Sequence, residues 1–152
     1  MRKPIITICA SAAHYKQAVE AEQWLKDQGL TVLVPTTAKK MQASGDYDVS
    51  HYKTWYDNKA DYHLKTERMR GHFEAVAKAD AILVVNYEKH GITNYIGGNV
   101  LMEMALAFYL KKPIYILNGL PAESAFEEEI VGMFPILLNG NLKPLAKAFQ
   151  TA

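Results

Sequence analysis

The chain carries a single cysteine, Cys9, in 152 residues. An internal disulfide framework is therefore excluded, and this usage suits a reducing compartment, so a cytoplasmic protein is expected. No apolar run approaches the roughly 20 residues that a membrane span needs. Met1-Arg2-Lys3 before Ile5-Ile6-Thr7-Ile8-Cys9-Ala10 has the outline of a signal peptide. That run is short and β-branched, and polar helical sequence follows it directly, so it reads as a strand. A net charge of +1 supplies no basic footprint for nucleic acid. No spacing of histidines, cysteine and carboxylates reads as a metal site, His51 and His63 read as surface residues, and no cofactor is expected. Repeats, low-complexity stretches and linkers are lacking too. What remains is one globular domain, long enough to bury a core.

What is present is an alternation of short apolar strands and helical patterns. Pro4 to Ala10 and Leu30 to Val34 flank a helix over Tyr15 to Gln28, whose Ala18, Val19, Ala21, Trp24 and Leu25 recur at helical spacing. Tyr62 to Lys78 is a second helix, with Leu64, Met69, Phe73, Val76 and Ala77 as its inward stripe. Ala81 to Val85 is a continuous apolar run, the mark of a strand buried on both faces. Pro113 to Asn118 and Pro135 to Leu138 complete the strands, and Ser124 to Val131 and Leu142 to Phe149 are short helices. Five strands alternating with helices predict a doubly wound parallel α/β sheet of Rossmann-like or flavodoxin-like type, ordered 2-1-3-4-5. Ligands on such sheets bind at the carboxyl edge where the order reverses, between the first and third strands.

The stretch from Asn94 to Glu103 lies at that edge. Gly97-Gly98 either turns the chain tightly or presents backbone N–H groups to an anion. Val100 to Leu110 then reads as a buried helix, with Asn99 as its N-cap. One carboxylate, Glu103, interrupts its apolar surface and is placed in the first turn, where the helix terminus favours the ionised form. An unpaired charge among Val100, Met104, Leu106 and Ala107 would cost several kcal/mol by rough estimate, which points to a functional group; a plain dipole or capping role is the alternative. Ser11, in the loop after the first strand, either binds a phosphate or sugar hydroxyl or caps a helix. With Asn86 at the end of the third strand, the crevice is expected to gather Ser11, Asn86, Gly97, Gly98 and Glu103. Tyr95 and Asn99 on the same stretch complete the candidate binding set.

Thr36 to Asp61 is an odd piece, since a loop this long is uncommon unless it is functional or hides a short helix. Its Tyr47, Tyr52, Trp55 and Tyr56 suit a lid over a flat ligand, a subunit interface, or plain packing. Glu67, Arg68 and Arg70 form either a solvated face or a set aimed at the site.

These residues carry a resemblance. "ADAILVVN" followed by "NYIGGNVLMEMALAFYLKKPIYIL" is similar to the core of the nucleoside 2-deoxyribosyltransferase-like family, which also includes deoxynucleoside monophosphate hydrolases. Asp80, Gly97-Gly98, Glu103 and Lys112-Pro113 fall on its aspartate, glycine turn, glutamate and Lys-Pro break, and Ala10-Ser11 matches its opening. The resemblance implies an enzyme that cleaves or exchanges the base of a nucleoside or nucleotide, with Glu103 as nucleophile toward the anomeric carbon. It also implies dimers or larger homo-oligomers, in which a segment such as Tyr47 to Tyr56 completes a neighbour's pocket. Two family aspartates are replaced, one by His72 and one by Gly97. His72 is then either the acid that protonates the base or a half-exposed structural histidine. A nucleotide-binding sensor of the same fold without turnover is the alternative function.

Overall fold

The central strands are buried on both sides, so each must be covered twice, and helices on both faces of a parallel sheet achieve that. A computed structural model describes residues 2–150 and shows this arrangement. The elements are β1 (Ile5–Ala10), α1 (Tyr15–Asp27), β2 (Thr31–Leu33), α2 (Thr36–Ser44), α3 (Tyr62–Lys78), β3 (Ala81–Val85), α4 (Gly98–Tyr109), β4 (Ile114–Ile116), α5 (Glu127–Gly132), β5 (Ile136–Leu137) and α6 (Lys143–Phe149). The strand order is β2-β1-β3-β4-β5, all parallel, with Ile6 opposite Ala81 and Ile82 opposite Ile114. This is the expected doubly wound α/β fold.

Alternate residues of each strand feed two separate cores. Ile6, Ile8, Leu83 and Val85 pack with Leu25 of α1 and Leu145 of α6. Cys9, Ile82, Val84 and Ile116 pack with Val76 of α3, Met104 of α4 and Ile130 of α5. Among the described residues, no helix is long and apolar enough to cross a membrane.

The segment after Pro35 does hide a short helix: α2 occupies Thr36–Ser44 and ends at Gly45, whose φ of 73° makes the left-handed C-cap. Three single turns of 3-10 helix follow, at Val49–His51, Thr54–Tyr56 and Lys59–Asp61. In α3 only Val76 is fully buried, Ala77 is exposed, and Leu64, Met69 and Phe73 are half-buried. Most of α3 faces a cavity roofed by those turns, so its stripe meets open space in place of a core.

Asp80, just before β3, has a mechanical role. It accepts two hydrogen bonds from Arg2, both 2.8 Å, and one from the Ile5 backbone N–H at 2.7 Å, tying β1 to β3. The Arg2 guanidinium first, and the Ile5 N–H second, hold its pKa down to about 2 from 3.8. A carboxyl depressed in the folded state contributes stability above its unfolded pKa, and that contribution fades as pH falls from about 4 to 2. Asp80→Asn should lower stability at neutral pH by about 1 kcal/mol, given the exposure of Arg2, with the difference from wild type vanishing by about pH 2 in denaturant titrations.

Candidate active site

The loop after β3 folds as a small hairpin. Lys89 and Ile92 exchange backbone hydrogen bonds of 3.1 and 2.9 Å across His90 and Gly91, both at positive φ (55° and 76°), the conformation of a type I′ turn. The hairpin aims Lys89 back at the sheet edge, where its Nζ donates to Ser11 Oγ at 2.8 Å and lies 5.2 Å from the Tyr95 ring centre. Ser11 makes no capping hydrogen bond, so the capping alternative drops out.

Gly97 and Gly98 are not alike. Gly97 is the extended N-cap of α4, and a Cβ there would stand 2.9 Å from Tyr95 Oη and 3.1 Å from its Cε1. Gly98, the first helical residue, faces open space. Gly97→Ala should therefore swing the Tyr95 ring away and weaken ligand binding several-fold, whereas Gly98→Ala should leave binding intact; titration of both variants with one ligand checks this. Asn99 is exposed one residue further on and is not the N-cap, a correction to the sequence reading.

Because α4 opens at Gly98, Glu103 is its sixth residue and lies in the second turn, beyond the reach of the terminal dipole. Its neighbours replace that influence. His72 Nε2 of α3 stands 2.9 Å from Glu103 Oε2, yet neither atom completes a hydrogen bond of good direction. The contact is thus one of proximity and charge, an ion pair when His72 is protonated. Lys65 attracts Glu103 from the same helix as His72. The phenol of Tyr15 is pushed up, by burial first and by the Glu103 charge second, and stays protonated.

A second buried glutamate gives the contrast. Glu22 is 3% exposed and Glu103 8%. Both Glu22 oxygens are bonded, to Lys26 at 2.9 Å and Lys39 at 2.8 Å, so Glu22 is a tie between α1 and α2. Glu103 keeps a buried oxygen without a hydrogen-bond donor, and it lies on the wall of a cavity of about 850 Å³. That volume suits a drug-sized or nucleotide-sized ligand.

Cys9, His72 and Glu103 bring one ligand-type atom each within 4.8 Å of one another, a grouping that their separation in sequence conceals. These are atom types that bind zinc. Burial first, and the Glu103 charge second, push the Cys9 thiol well up, however, and Cys9 is not on the cavity wall.

Of the candidate residues, Ser11, His72, Tyr95, Gly97, Gly98, Asn99 and Glu103 all line this cavity. Asn86 does not, and the expectation of a binding role is corrected. It is fully buried, its Nδ2 donates to the Asn94 and Gly119 carbonyls at 3.0 and 2.9 Å, and its Oδ1 accepts from the Asn118 N–H at 3.1 Å. It holds two loops in place. Arg68 lines the cavity, while Arg70 is exposed and off it. The sequence reading missed Tyr15, Lys53, Lys65 and Lys89, which also line it. The chain matches no known family model and no curated protein.

Proposed function

We propose that the protein cleaves the N-glycosidic bond of a (deoxy)nucleoside or its 5′-monophosphate, by hydrolysis or base exchange, through a covalent glycosyl-Glu103 intermediate. The observation that carries this reading is Glu103 itself, a buried carboxylate on the wall of a nucleotide-sized cavity, with one oxygen that lacks a hydrogen-bond donor. A bystander there would be apolar, or fully paired as Glu22 is.

The chemistry is a double displacement. A Glu103 oxygen attacks C1′, the C1′–N bond breaks, and its electron pair leaves with the base. Protonated His72, on the same wall, supplies the proton that the base takes up. Water, or a second base in exchange, then attacks C1′ and frees the carboxylate, and neutral His72 accepts the proton of that nucleophile. Tyr95 and Ser11 bind the sugar side.

The short His72–Glu103 contact also suits a second reading, a nucleotide-binding sensor in which that ion pair is permanent. One experiment separates them. Wild type, Glu103→Ala and Glu103→Gln are incubated with a panel of nucleosides and monophosphates, and free base is followed by chromatography. Release by wild type alone supports the enzyme. Release surviving both substitutions removes the mechanism, and binding without release supports the sensor.

A further inference from the structure

Five cationic side chains (Lys40, Lys53, Lys65, Arg68 and Lys89) line the cavity against two carboxylates, Glu67 and Glu103, in a chain whose net charge is only +1. Among the described residues, Lys53, Lys65, Arg68 and Lys89 form no ion pair with a carboxylate within 4 Å. These four come from three separate pieces of chain: the 3-10 roof, α3 and the β3 hairpin. All four are half-buried.

Three of them are held by contacts, Lys89 through Ser11 and Tyr95. Arg68 donates to the Tyr52 carbonyl at 2.7 Å and lies 5.1 Å from the Trp55 ring centre, and Lys65 stands 5.8 Å from the same ring. Trp55 needs only one such neighbour, and an apolar residue would cover it as well. Among the described residues, Lys53 Nζ has no hydrogen-bond acceptor. Burial first, and then the charges of Lys65, Lys89 and Arg68, bring its pKa down to about 8. Like charges gathered in a half-buried cleft repel one another, and their cost is recovered only when an anion enters.

We infer that the substrate carries a phosphate monoester, held by Lys53, Lys65 and Lys89, so that the site takes nucleotides in preference to free nucleosides. This rests on the glycosidase reading for the nucleoside part and on the cation cluster alone for the phosphate. The attraction between Lys65 and Glu103 ties that cluster to the same site. Lys89 brings Ser11 to it, and Arg68 positions the roof that carries Lys53.

The test is calorimetric titration of the Glu103→Gln chain, which holds ligand without turnover. The probes are a purine and a pyrimidine nucleoside, their 5′-monophosphates, and inorganic phosphate as competitor. Monophosphates should bind at least about 30-fold more tightly than the nucleosides, as two or three charge-assisted contacts allow. Adding Lys53→Gln and Lys65→Gln should bring them to the nucleoside level. The same pair should not lower the melting temperature, since it relieves repulsion; each single substitution serves if the pair does not fold. The advantage should also shrink as pH rises through 8, where Lys53, faced by Lys65, Arg68 and Lys89, gives up its proton. Equal affinities for nucleoside and monophosphate, or an advantage that survives both substitutions, would overturn the inference. Monophosphate preference with no base release from wild type would leave it standing and remove the glycosidase. Release from free nucleosides alone would do the reverse.

Discussion

Glutamine in place of Glu103 is expected to cut base release at least about 1,000-fold while the protein stays folded and still binds ligand. The nucleophile is lost, but the shape is kept. The melting temperature should hold or rise, because a buried carboxylate oxygen with no donor is exchanged for a neutral amide beside His72. Glu22→Gln is the control and should behave in the opposite way. It breaks two lysine pairs on a buried carboxylate, costs about 1–2 kcal/mol, and leaves the rate alone. If both glutamates destabilise alike on substitution and neither changes the rate, Glu103 is a structural residue.

Asn86→Ala should give the largest loss of stability among the site candidates, about 3 kcal/mol by denaturant unfolding. Its amide joins the ends of β3 and β4 to the loops that follow them. Alanine would strand the Asn94 and Gly119 carbonyls and the Asn118 N–H, and the 2.6 Å bond from Asn118 Nδ2 to the Asn86 carbonyl would lose its frame. Ligand affinity at low temperature, where the variant remains folded, should change little. Stability near wild type together with lost affinity would instead make Asn86 a ligand contact.

Much of the architecture was readable because it is written locally. Ile5–Ala10 and Ala81–Val85 are apolar on both faces, which only a covered parallel strand explains, and α3 fills the span its pattern indicates. The carboxyl-edge rule then placed most of the candidate residues on one cavity. What escaped was written at a distance or without period. Thr36–Ser44 has only Thr37, Ala38 and Met41 to bury, too few to show helical periodicity, and Pro35 before it reads as a break. Glu103 was placed a turn too early because Asn99 is the stronger N-cap residue, whereas Gly97 takes that position so that Tyr95 can lie against it. The cationic wall joins Lys53, Lys65 and Lys89, each of which alone looks like an ordinary solvated lysine. One cue was present: His90-Gly91 suits a two-residue hairpin, and that turn would have pointed Lys89 inward.

The most direct test of the Glu103 assignment is intact-protein mass spectrometry with a nucleotide made slow to hydrolyse by a 2′-fluoro substituent, followed by peptide mapping. The expected result is a stoichiometric sugar-phosphate adduct, formed with release of one base per chain, on the peptide that contains Glu103, and absent from Glu103→Gln. Base release without any adduct, or an adduct on another side chain, would contradict it.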